Sequence, residues 1–182
     1  MPYIKINDEK LVIDVVGDLV EKPAGYYYVA DIPEGSAIYY DPDTQEFHVD
    51  LDEDKAKKID DIEKAKYDYL FDYFWFKKTD TGVYYKIPSN RSAQIDIIGL
   101  YIFSKDVDTT MNIPFFTYDD EEIIVSAADI QSMFVTGATY KTLIHNKAKE
   151  LKDLISQCTV YNCIDVIDEN AEFEAVREGM KV

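Results

Sequence analysis

Positive charge is scarce in this 182-residue sequence: 19 Lys and Arg stand against 36 Asp and Glu, for a formal net charge of -17. That excess repels the phosphate backbone and anionic lipid, so neither nucleic acid nor a membrane surface is an expected partner. No apolar run reaches 18 residues, and the opening MPYIKINDEK has no basic segment leading into an apolar one. We therefore expect neither a membrane span nor a signal peptide. Histidine is almost missing. His48 and His145 lie about 100 positions apart, and no Ser-His-Asp or Cys-His spacing connects them. The glycine-rich phosphate loops, the H-E-x-x-H helix and the G-x-S-x-G elbow are all absent. The two cysteines, Cys158 and Cys163, have four residues between them; a free pair is favoured over a disulfide, and a metal pair is disfavoured because zinc needs four ligands. Acidic clusters at 41–43, 50–54, 60–61, 106 with 108, and 119–122 lack the alternation and fixed glycine of a calcium loop. The expectation is a protein with no catalytic residue, no cofactor and no metal, not an enzyme.

Apolar residues are plentiful. A hydrophobic fraction of 47% supplies a real core at this length, and an aromatic fraction of 14%, with 15 Tyr and 9 Phe, suits a sheet face or assembly surface with one wet edge. Over residues 1–50, short β-branched and aromatic runs at 3–6, 10–16, 25–30, 37–40 and 46–49 alternate with turn signals at 7–8, 17–18, 33–35 and 41–43. A small antiparallel β region is expected there. Residues 51–76 switch to helical spacing through Ile59, Ile62, Lys66 or Tyr67, and Leu70, predicting a connecting helix of four to six turns that docks or frays into a strand at the aromatic run 71–76.

Residues 77–182 are expected to form an α+β domain. A strand at 83–87 stops at Pro88, residues 94–103 read as a buried strand or a short helix, and 113–125 reads as a hairpin with Asp119 and Asp120 at its tip. Ser126 with Asp129 resembles a capping box. It opens an apolar stripe of Ile130, Met133, Phe134, Gly137, Tyr140, Ile144, Ala148, Leu151 and Ile155, predicting one long helix over about 127–157. The tail from 168 is expected as a last short helix or as loose chain. Arg91 and Arg177 are the only arginines, and Arg91, in SNRS between strand signals, reads as a residue that caps or pins a loop. The fold class is thus α+β: a small antiparallel N-terminal β region, a connecting helix, then strands packed with one long C-terminal helix. Tyr26, Tyr27, Tyr28, Phe71, Phe74 and Trp75 are the candidate interface residues.

Residues 81–160 resemble a family known as the domain of unknown function 4376, found in tail, tail-fibre or tail-fibre-assembly genes of tailed phages and prophages. The pattern lies in VYYKIPSNRSAQID, where Ser89, Arg91 and Ile95 match the family's serine-arginine turn, in PFFTYDDEEIIVSAADIQSM, where Phe116 takes the usual tryptophan place before the acidic turn at Asp119 and Asp120, and in IHNKAKELKDLI. The resemblance implies architectural residues and a structural component of a phage particle, in the tail, tail fibre or a related connector. The alternative it implies is a tail-fibre assembly chaperone not retained in the virion. Expected partners are other virion proteins or copies of itself, and the expected location is the virion, after synthesis in the host cytoplasm.

Overall fold

A computed structural model describes residues 2–17, 23–35, 37–106 and 112–181. The turn expected at 17–18 and the acidic pair at 106 and 108 lie partly outside those residues. The fold is α+β, in the order β1 (Tyr3–Ile6), β2 (Val12–Val16), β3 (Tyr27–Tyr28), β4 (Ala37–Asp41), β5 (Glu46–Asp50), α1 (Asp52–Phe71), β6 (Tyr73–Lys77), β7 (Tyr84–Pro88), α2 (Arg91–Ser104), β8 (Asn112–Phe116), β9 (Glu122–Ser126), α3 (Ala127–Gln157), α4 (Tyr161–Asp165) and α5 (Glu169–Glu178). Two compact units result: Met1–Asp60 with Leu154–Ile167, and Asp61–Asp153 with Asp168–Val182.

In the first unit, β1 pairs antiparallel with both β2 and β3, giving the order β2-β1-β3. The Asn7 side chain accepts the N–H groups of Glu9 and Leu11, each at 3.0 Å, which closes the β1–β2 turn. Strands β4 and β5 form the expected hairpin, in register from Ala37 with Asp50 to Asp41 with Glu46. Ile4, Val29 and Tyr40 make the core, closed by Ile6, Val12, Tyr27, Ile32 and Phe47. The strand expected over 25–30 shrinks to Tyr27–Tyr28, because Gly25 takes φ 80° in a turn that uses up its beginning.

Cys158 and Cys163 correct the expectation of free thiols: they form a disulfide. The chain reverses between the end of α3 and α4, with Cys163 N–H reaching Val160 O at 3.2 Å, and this brings the two Cα atoms to 5.6 Å, inside bridging range. Spacing alone did not reveal that reversal.

The second unit is organised by α3. Ile130, Met133, Tyr140, Ile144, Ala148 and Leu151 are all buried along one face, as the periodicity predicts. Gly137 belongs to the same face, and a Cβ there would sit 3.1 Å from the Phe74 ring, so the glycine admits a close approach by β6. Strand β6 pairs with β7 and β8 pairs with β9, each antiparallel. The run 94–103, which periodicity left between strand and helix, lies in α2. Asn90 caps that helix, its side chain accepting the Ala93 N–H at 3.0 Å, and Arg91 opens the helix rather than pinning a loop.

The α3 N-terminus is held by the reciprocal bonds of a capping box. Ser126 Oγ accepts the Asp129 N–H at 3.1 Å, while Asp129 Oδ2 accepts the Ser126 N–H at 3.0 Å and its hydroxyl at 2.8 Å. Asp129 Oδ1 also accepts the Thr79 N–H at 3.0 Å, tying the β6–β7 turn to the helix. Burial alone raises the Asp129 pKa, but the hydrogen bonds from Ser126 and Thr79 outweigh it and hold the carboxyl below its ordinary value.

Replacing Asp129 by Ala removes three accepted bonds and should cost about 1–2 kcal/mol near neutral pH, read as a lower urea midpoint. Because the folded pKa is depressed from 3.8, this contribution is complete above the unfolded pKa and is lost as pH falls through the folded one. The gap between the wild-type protein and Asp129→Ala should therefore stay constant above about pH 5 and narrow below about pH 4.

Candidate functional site

An α-helix leaves its last carbonyls without intrahelical donors, and α1 ends with neither a capping glycine nor a basic residue in its last turn. Side chains from elsewhere in the second unit fill the gap. The Tyr140 hydroxyl donates to Tyr69 O at 2.9 Å, the Ser89 hydroxyl to Leu70 O at 2.8 Å, and the Ser89 N–H to Asp72 O at 2.9 Å. The C-terminal end of α1 is thereby fixed to α3 and to Ser89, just after β7. Burial pushes the Tyr140 phenol pKa up, so it stays a neutral donor throughout the ordinary pH range.

Arg177 of α5 packs beside that end. Its Nη1 donates to Asp72 Oδ2 at 2.6 Å, its Nη2 donates to Glu174, and its guanidinium carbon lies 4.0 Å from the Tyr73 ring centroid and 4.6 Å from that of Tyr69. Desolvation pulls the Arg177 pKa down, but the two carboxylates more than offset it, so the group is held charged. Asp72 also accepts from the Tyr118 hydroxyl, which raises the Tyr118 pKa.

The aromatic run at 71–76 is divided by strand alternation. Phe74 and Phe76 point into the core, whereas Tyr73 and Trp75 point outward. Trp75 Nε1 donates to Glu178 Oε1 at 2.9 Å, and Lys181 Nζ lies 3.8 Å from the Trp75 ring centroid. Lys86 lies 5.3 Å from the Tyr73 ring. Residues of α5 and the chain just after it thus cover this outer face.

Beside it opens a cleft of about 580 Å³, lined by Tyr67, Asp68, Tyr69, Phe71, Asp72 and Arg177. Tyr67 and Phe71, one helical turn apart, set their rings parallel with centroids 6.4 Å apart, and they remain 55% and 47% exposed. Asp68, in the last turn of α1, and Asp72, just past its end, add two carboxylates to the lining. Arg177 is already matched by two carboxylates, so the cleft presents surplus negative charge next to exposed aromatic rings. Such an arrangement suits a Lys or Arg side chain of another protein, through ion pairing and cation–π attraction.

The six residues singled out in the sequence fall in both units. Tyr26 donates its hydroxyl to Asp14 Oδ2 at 2.5 Å, Tyr27 packs 5.7 Å from Tyr40, and exposed Tyr28 meets Tyr3 edge-on at 5.8 Å. In the second unit, Phe71 lines the cleft, Phe74 is core, and Trp75 is partly covered. Tyr67, Asp72 and Arg177 were not singled out. The sequence signal for the last was a lone arginine three residues after Glu174 in a mostly acidic tail. Both histidines are exposed, and among the described residues no group of three or more His, Cys, Asp or Glu side chains is placed to hold a metal ion.

Replacing Arg177 by Ala leaves Asp72 and Glu174 facing each other beside a lost stacking partner, and should cost about 3 kcal/mol in chemical denaturation. Arg177→Lys should recover under half of that, because one ammonium cannot reach both carboxylates while lying flat on two rings.

Comparison with protein families gives a match to the model described as Domain of unknown function (DUF4376), over residues 53–175. No curated protein and no solved structure matches the chain. The matched segment runs from the first turn of α1 into α5 and covers about two thirds of the sequence, including the strand, hairpin and helix segments in which the resemblance lies. The chain therefore belongs to the DUF4376 family.

Proposed function

We propose that the protein is a structural component of a phage particle, in the tail, tail fibre or a related connector, acting through protein–protein contacts. The viral part rests on the resemblance of residues 81–160 to domains encoded in tail genes. The contact part rests on one observation: Tyr67 and Phe71 hold a parallel, solvent-exposed ring pair beside Asp68 and Asp72. Holding two large rings in water has no folding benefit to match what burial of the same area would give, roughly 25 cal/mol per Å², so a partner surface is where that stabilisation is recovered. The partner is a protein offering Lys or Arg, which the net charge of -17 draws in at long range.

Quantitative mass spectrometry of purified particles tests the assignment. The expected result is a copy number in simple ratio to a known tail component. Abundance in the infected cell with absence from particles rejects a virion role and leaves the assembly chaperone. The contact surface has its own test. Phe71→Ala and Tyr67→Ala should leave the unfolding free energy within about 0.5 kcal/mol, as ordinary surface changes do, yet reduce incorporation into particles. Phe74→Ala should instead cost about 3–5 kcal/mol, since that ring is core.

A further inference from the structure

Helix α2 is apolar on two sides. Ala93, Ile97 and Ser104 are buried against the second unit, and Tyr101 stacks on Phe134 with centroids 4.1 Å apart. On the opposite side, Ile95, Ile98 and Ile102 are 61%, 46% and 59% exposed. At about 100° per residue, positions 91, 95, 98, 99, 102 and 106 fall within about 100° of arc, so Arg91, Gly99 and Asp106 share this outer face. All six are exposed.

Three features of the face are unfavourable for an isolated subunit. Gly99 costs the helix about 1 kcal/mol relative to Ala, and a Cβ there would meet nothing within 4 Å, so no packing inside the chain accounts for it. Gly137 differs, because Phe74 occupies its space. Arg91 stands at the positive N-terminal end and Asp106 just beyond the negative C-terminal end, each opposed by the helix dipole. Three isoleucines also lie in water.

A second copy of α2, laid antiparallel across the first, removes all three. With the two-fold axis between positions 98 and 99, Arg91 faces Asp106 of the second copy, Ile95 faces its Ile102, Ile98 faces its Gly99, and the same pairs recur on the other side of the axis. The face is complementary to itself in charge and in shape, as a two-fold interface requires. Each isoleucine at 98 gains the hollow left by a glycine. Each helix end gains an opposite charge, and the antiparallel dipoles attract. Elsewhere the charge of -17 makes copies repel, whereas residues 91–106 carry Arg91 and Lys105 against Asp96 and Asp106 and are neutral.

We infer that α2 is the self-association surface of this protein, forming an isologous antiparallel dimer centred between Ile98 and Gly99. The inference does not rest on the viral reading, since it concerns the purified chain alone. One helix face is smaller than the about 800 Å² per partner of a standard interface, so association belongs in the micromolar range.

Sedimentation equilibrium from about 1 µM to about 1 mM tests it. The wild-type protein should pass from monomer to dimer over that range. Gly99→Leu should weaken dimerisation at least about tenfold while leaving helix content by circular dichroism equal or higher, since the change favours the helix. Arg91→Asp and Asp106→Arg should each abolish it by placing like charges at both ends, and each moves a charge to the end that the dipole prefers, so unfolding is not the cause. An equimolar mixture of those two variants should dimerise again, because every end contact is then opposite in sign. A wild-type protein monomeric throughout overturns the inference. So does a dimer that tolerates Gly99→Leu, or a mixture of charge variants that stays monomeric.

Discussion

The buried stripe of α3 is the surface on which the second unit depends. Both sheets of that unit are two-stranded, and a hairpin of two strands is marginal alone in water, so β6–β7 and β8–β9 need a helix face to cover their apolar sides. Residues spaced at three and four from Ile130 to Leu151 supply it without a break. Polar groups then set register along it: Asp129 takes the Thr79 N–H at the helix start, Tyr140 satisfies the Tyr69 carbonyl midway, and Lys152 pairs with Glu63 further on. Glu63 binds Lys66 as well, so the α1–α3 seam carries a matched ion cluster, which holds the Glu63 carboxyl below its ordinary pKa.

Elements whose specification is local were legible in the residues. The limits of α3 follow from its stripe and capping box, and the β4–β5 and β8–β9 hairpins follow from alternation around short acidic turns. Elements decided by distant partners were not. The run 94–103 has apolar residues on every side, so its period was hidden. Two different surfaces account for that pattern: Ala93 and Ile97 face the core while Ile95 and Ile102 face outward. The Asn90 cap was the local signal that decides the element. The disulfide depends on a chain reversal after α3, which no pattern in the sequence encodes.

The candidate cleft was half legible. Aromatic crowding at 71–76 marked the region, but a strand gives alternate residues opposite fates, and the sequence alone did not show that Phe74 would go inward and Trp75 outward. Helical spacing left either Lys66 or Tyr67 for the inner face of α1. The structure buries Lys66, which Glu63 pairs, and leaves Tyr67 outside, stacked on Phe71. Arg177 could be found only once α5 was seen to return to the end of α1, more than 100 positions earlier in the chain.

Charge decides which surfaces remain available for association. With 36 acidic side chains against 19 basic ones, an apolar patch surrounded by carboxylates meets its own copies under repulsion and meets a basic partner under attraction. The cleft at Tyr67 and Phe71, bordered by Asp68 and Asp72, is of that kind, which is why the proposed partner there is a different protein and not another copy. The outer face of α2 is neutral and carries its opposite charges at opposite ends, so it favours a copy of itself. The two surfaces therefore differ in how far salt governs them. Screening weakens attraction between the acidic cleft and a basic partner, whereas for two copies it weakens the Arg91–Asp106 end pairs, relieves the overall repulsion and leaves the isoleucine contact of α2 intact. The proposed partner contact and the inferred self-pairing use different residues, so neither would compete for the other's.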